Sequence, residues 1–123
     1  MKGDKPMNMS FHLTTPQMRR GEKDVTRRLG WAKLKPGDRF FAIEKGQGLK
    51  KGEKVKRICQ CECVSNTKEM LFEIVRRPFR GVRSECAREG FPLLSPCEFV
   101  QMFCREMGVT QETMVNRIEF KRV

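Results

Sequence analysis

A single histidine, His12, is all the imidazole in the chain. That excludes ribonuclease chemistry built on paired histidines and leaves no histidine cluster for a metal. Cysteine is present but not at zinc spacing. Paired zinc-binding cysteines usually stand two to four residues apart, whereas Cys59, Cys61 and Cys63 alternate, and Cys86, Cys97 and Cys104 are scattered. No metal and no cofactor are expected, and free thiols packed as small hydrophobes suit a reducing compartment. No apolar run approaches the roughly 20 residues that span a bilayer, and Met1 to Asn8 lacks the apolar stretch of a signal peptide. A cytoplasmic protein without a membrane partner is the expectation. Internal repeats and low-complexity segments are also missing, and glycines 46, 48 and 52 do not follow the spacing of a nucleotide P-loop.

What the chain does have is positive charge. Lys and Arg number 26 against 15 Asp and Glu, a formal net charge of +11. Residues 17–83 hold 19 basic and 8 acidic side chains, a net +11, whereas residues 84–123 hold 5 and 6, a net −1. An excess confined to one part of the chain predicts a one-sided field, which attracts polyanions by displacing their condensed counterions. A length of 123 residues with 38% hydrophobic content suffices for one modest core. A flexible N-terminal arm over 1–8 and a single domain over 9–123, acting as a monomer, are expected.

Hydrophobic pattern and turn residues divide that domain. Met9 to Leu13 alternates as a first strand. Thr15-Pro16 opens a short helix that Gly21 closes. Asp24 to Leu29 is β-like, Leu34-Lys35-Pro36-Gly37-Asp38 forms a tight turn, and Arg39 to Glu44 is a strand. The Gly- and Lys-rich stretch 45–54 reads as an exposed loop. Val55 to Val64 makes a long strand, and Glu69 to Val75 supplies another. Val82 to Glu89 suits a short helix stopped by Gly90. Ser95-Pro96-Cys97-Glu98 is a capping box, and Phe99, Met102, Phe103, Glu106 and Met107 recur at helical spacing up to Gly108, a stripe expected to pack in the core. Met114 to Val123 closes the domain as a strand. This order predicts a small mixed α/β barrel.

Gly21-Glu22-Lys23-Asp24-Val25-Thr26-Arg27-Arg28 narrows the reading. It resembles the motif of ASCH domains, Gly-x-Lys-x-x-Glu-x-Arg, through Gly21, Lys23 and Arg28. The 34–38 turn and the final strand are also ASCH-like, so the likeness covers residues 9–121. It implies an α+β, PUA-like small mixed β-barrel of five or six strands with two or three flanking helices, binding RNA or an RNA-derived nucleoside, plain or modified, in a basic cleft. Thr26 stands where the common motif has glutamate. In that respect the chain is similar to small ASCH proteins that act as N(4)-acetylcytidine amidohydrolases through a threonine, a lysine and a distant glutamate. Carried over, these fall on Thr26, Lys23 and Glu89, with Glu85 as the alternative third member.

Threonine attacks only once a neighbour takes its proton, and a lysine can do so if burial or nearby cations lower its pKa. A Lys23 that stays protonated would instead stabilise an oxyanion. Residues i and i+3 face opposite ways in a regular strand, so Lys23 and Thr26 can share a pocket only if the chain turns between them. Two roles stay open: binding alone, or hydrolysis of an acylated cytidine, with RNA cleavage a weaker third. For nucleic-acid contact the candidates are Lys23, Arg27, Arg28, Arg76, Arg77 and Arg80, with Trp31 and Phe79 as stacking aromatics. Phe40, Phe41 and Phe91 are further aromatic candidates, expected mostly in the core.

Overall fold

The computed structural model describes residues 7–46 and 48–123. Ten elements follow in order: β1 (Asn8–Ser10), a 3-10 turn (His12–Thr14), α1 (Thr15–Arg19), β2 (Val25–Arg28), β3 (Arg39–Ile43), β4 (Arg57–Met70), α2 (Glu73–Arg76), α3 (Glu85–Arg88), α4 (Pro96–Met107) and β5 (Met114–Arg122). The five strands form one mixed sheet in the order β1-β3-β4-β5-β2. Only β1 with β3 is parallel; the other pairs are antiparallel. The α+β class expected from the sequence stands. The sheet is not closed into a complete barrel: among the described residues β1 and β2 are its free edges.

β4 is long enough to serve two partners. Arg57 to Glu62 pair with β3, and Cys61 to Met70 pair with β5. The register slips between Cys63 and Ser65, so Val64 is the extra residue of a β-bulge. A bulge bends and twists the strand that carries it, which lets one strand turn from β3 towards β5. The alternating cysteines lie on this strand, with Cys61 and Cys63 buried.

Two apolar clusters form the core. The first gathers Met9, Phe11, Met18, Leu34, Phe40, Cys61, Cys63, Ile118 and Phe120. The second packs Leu71, Ile74, Cys86, Phe99, Val100, Phe103 and Val115 between the sheet and the helices. α4 has the start its sequence foretold: Ser95 Oγ accepts from Glu98 N at 3.1 Å, and Glu98 Oε1 accepts from Ser95 N at 2.8 Å. Its end is Gly108 at φ 66°, a left-handed position that glycine adopts without a Cβ clash.

Three expectations need correcting. The first strand ends at Ser10, because Phe11 turns inward and its N–H donates to Ile43 O (2.8 Å), and a 3-10 turn follows. Glu69 does not start a strand; it lies near the end of β4, and Leu71 and Ile74 fall three apart on a helical turn that buries both. Of the arm expected over 1–8, residues 1–6 lie outside the described residues. Met7 and Asn8 join the sheet, Met7 O accepting from Phe41 N at 2.8 Å and Asn8 pairing with Phe41.

Candidate functional site

A cavity of about 320 Å³ opens between the two clusters. Phe11 comes from the first, Phe99 and Phe103 from the second, and Leu13, Phe91, Met102 and Met107 extend the apolar wall. Lys23, Thr26, Arg28 and Glu89 are prominent in its polar wall, to which Ser10, His12, Thr14, Arg27 and Glu106 also contribute.

The local chain explains how Lys23, Thr26, Arg28 and Glu89 meet. Lys23 precedes β2, so it is not bound by the alternation of the strand that carries Thr26 and Arg28. Asp24 N donates to Arg88 O at 3.0 Å, and the Arg88 guanidinium holds the Asp24 carboxylate through bonds of 3.0 and 3.3 Å. Residues 23–24 are therefore clamped to the end of α3, where Glu89 sits. Gly90 follows at φ 99°, and a Cβ there would meet Gln17 at 3.1 Å, so only glycine fits the bend after Glu89.

Lys23 Nζ donates to Glu89 Oε1 at 2.9 Å and to the Glu89 carbonyl at 2.7 Å. Burial pushes the Lys23 ammonium below its ordinary pKa. Glu89 opposes that shift, and the charges of Arg28 and Arg27 add to it. Arg28 Nε donates to Thr26 Oγ1 at 3.0 Å and its guanidinium lies 4.6 Å from the Phe11 ring centre. Burial brings Arg28 down to about 10, against the pull of Glu89. Because the Thr26 oxygen accepts from a cation, its own O–H is left to donate, and negative charge growing on that oxygen would be stabilised.

Beneath the cavity lies a buried ionic network. Arg27 Nη1 reaches Glu89 Oε2 at 2.8 Å, while its Nη2 reaches Glu85 Oε1 at 2.8 Å and Glu69 Oε2 at 3.2 Å. Arg117 forks onto Glu85 (2.8 and 2.9 Å), and Arg80 forks onto Glu69 (both 2.9 Å). Burial alone would raise the Glu85 carboxyl, but hydrogen bonds from Arg117 and Arg27, with their charges, outweigh it and hold it at about 2.

The network corrects part of the candidate list. The Arg27 side chain is 0% exposed and enclosed by three carboxylates, so it has no face to offer a phosphate. Arg80 is held the same way by Glu69, at 12% exposure. Trp31 is half-buried at φ 74°, packed 6.4 Å from the Phe40 ring, and belongs to the first cluster's wall rather than to the cavity. Arg76, Arg77 and Phe79 are exposed but do not line the cavity. Of the two glutamates, Glu89 is the one on Lys23; Glu85 lies deeper, between Arg27 and Arg117. The cleft is also less basic than expected, since Lys23 and Arg27 are both paired with Glu89 and most of the wall is apolar. Phe11, Leu13, Met102 and Met107 were not foreseen as cavity walls. The aromatic and methionine stripe on α4 was the available signal, and its residues serve core and cavity together.

No family model matches the chain, and no curated protein matches it. Among solved structures, a protein of Enterococcus faecalis V583 described under the family DUF984 matches all of this chain and 83% of its own, at 12% identity and a TM-score of 0.59. That likeness shows the fold. An ASCH domain from Lactobacillus crispatus JV V101 matches 94% of this chain and 79% of its own, at 16% identity and a TM-score of 0.48.

Proposed function

We propose that the cavity takes the base of an RNA-derived nucleoside. One observation carries this reading: Lys23, Thr26 and Glu89 all line a cavity of about 320 Å³ whose apolar walls are mainly aromatic rings and methionines. A base has a hydrogen-bonding edge and an apolar face, and small-ligand cavities of this size class bind by that division. Exposed Arg76, Arg77 and Phe79 are the remaining candidates for strand contact. The test is equilibrium binding of cytidine, N(4)-acetylcytidine and a short RNA. Lys23→Ala should weaken nucleoside binding at least tenfold, and Arg76→Ala with Arg77→Ala should weaken RNA without touching the nucleoside. A cavity indifferent to every nucleoside would overturn the proposal.

The Lys23–Glu89 pair favours a second, catalytic reading on the same cavity. A neutral Lys23 takes the Thr26 proton as Oγ1 attacks the acyl carbon of an N(4)-acylated cytidine. The amine leaves with that proton, and water then releases the acid from Thr26, so one amide and one water give one amine and one carboxylic acid. Glu89 holds Lys23 in place throughout. Incubation with N(4)-acetylcytidine should yield cytidine and acetate, with loss of at least about a hundredfold in Thr26→Ala. Survival of turnover in Thr26→Ala would mean direct attack by water.

A further inference from the structure

A second cavity, of about 300 Å³, adjoins the first, and His12 lines both. It lies between the chain at His12 and Thr15 and the loop joining β3 to β4. That loop is closed at its base by Glu44 N donating to Lys56 O (2.9 Å). Within it, Glu53 N donates to Lys50 O (2.8 Å), and Glu53 Oε1 accepts from Lys50 N (2.8 Å). Lys45, Lys54 and Lys56 face this cavity, and among the described residues none of them makes an ion pair. Its two carboxylates are already engaged, Glu44 by the Arg19 guanidinium and Glu53 by the Lys50 backbone. Three lysines against two carboxylates leave the lining net positive, although Lys56 shares its field with Glu44, whereas Lys23 and Arg27 in the first cavity are both bonded to Glu89.

We infer that this second cavity is a phosphate subsite, and that the ligand of the adjoining cavity is a nucleotide or an RNA strand rather than a free nucleoside. The second half of the inference rests on the nucleoside reading of the first cavity; the first half does not. A base in the first cavity would carry its phosphate past His12 towards Lys54 and Lys56, and phosphate is the anion that lysines hold as point charges.

His12 is the sole histidine, so its ring resonances give an unambiguous probe by nuclear magnetic resonance. Inorganic pyrophosphate should shift them in the wild type, with affinity at least tenfold weaker in the Lys54→Ala, Lys56→Ala double variant. Both lysines are exposed, so the fold should be unaffected. Cytidine 5′- or 3′-monophosphate should bind at least tenfold more tightly than cytidine. That advantage should vanish in the double variant while cytidine itself binds as before. Pyrophosphate that leaves His12 unmoved, or binds the double variant equally, overturns the phosphate subsite. Pyrophosphate binding with no advantage for either monophosphate over a bound cytidine overturns its link to the first cavity. Pyrophosphate binding without any nucleoside binding upholds the subsite and overturns the nucleoside reading, with the nucleotide half of the inference that rests on it.

Discussion

Replacing Glu85 by glutamine should unfold much of what this chain's stability rests on. The Glu85 carboxylate is fully buried and receives three charge-assisted bonds of 2.8–2.9 Å, one from Arg27 and two from Arg117. Glutamine keeps the shape but leaves two buried guanidinium groups short of a counter-charge, a change that costs about 3–5 kcal/mol when one partner of a buried pair is removed. Titration gives a second route to the magnitude. A carboxyl moved from its ordinary 4.5 to about 2 contributes about 3 kcal/mol above the higher value, at 1.36 kcal/mol per unit. Because the folded-state value is the lower one, that stability is complete above about pH 4.5 and is lost as pH falls towards 2. Urea unfolding followed by circular dichroism at pH 7, 5 and 3 measures both. The wild type should weaken markedly between pH 5 and 3, and Glu85→Gln should be weaker than it at pH 7 and flatter across the acid range. A variant within 1 kcal/mol of wild type at pH 7, with unchanged acid sensitivity, would refute the network as a source of stability.

Ser95→Ala removes one half of the α4 capping box and should cost about 1 kcal/mol in the same unfolding assay, with no effect on ligand binding. Burial, with Cys59 adding to it, pushes the Cys61 thiol up to about 12, and burial pushes Cys86 up to about 11, whereas Cys97 is exposed. Iodoacetamide near neutral pH, read by mass spectrometry, should therefore label Cys97 first and spare Cys61 and Cys86 until the chain unfolds. Lys23→Met removes the charge without emptying the space. It leaves the buried Glu89 with Arg27 as its remaining cation and should cost about 3–5 kcal/mol in the same unfolding assay, and it should abolish any nucleoside turnover.

Local signals were legible where a residue type can do only one thing. The Ser95–Glu98 box and Gly108 marked both ends of α4, and the Lys23, Thr26 and Glu89 side chains that the ASCH likeness singled out do meet at one cavity. The strand expected from Glu69 failed because Ile74 and Val75 are β-branched, yet burial of Leu71 and Ile74 against the second cluster wins over that propensity. The charge count misled in a different way. Arg27 and Arg80 were added to an outward field, but Glu69, Glu85 and Glu89 lie 42, 58 and 62 residues from Arg27, and Glu69 lies 11 from Arg80, at no spacing a local pattern could reveal. Where the sheet stays open was equally hidden, since edge pairing depends on which distant strands meet.

β5 sits between β4 and β2, so of the five described strands the one made after the others is an interior one. During synthesis β2, which carries Thr26, has no sheet neighbour until residues 116–119 emerge. Until then β4 also leaves its second half unpaired, from Ser65 to Met70. The cavity wall formed by β2 therefore cannot be set early and refined later; it arrives with β5. Nascent chains stopped before Met114 should expose two unpaired strand edges, the condition under which incomplete chains aggregate or call on chaperones.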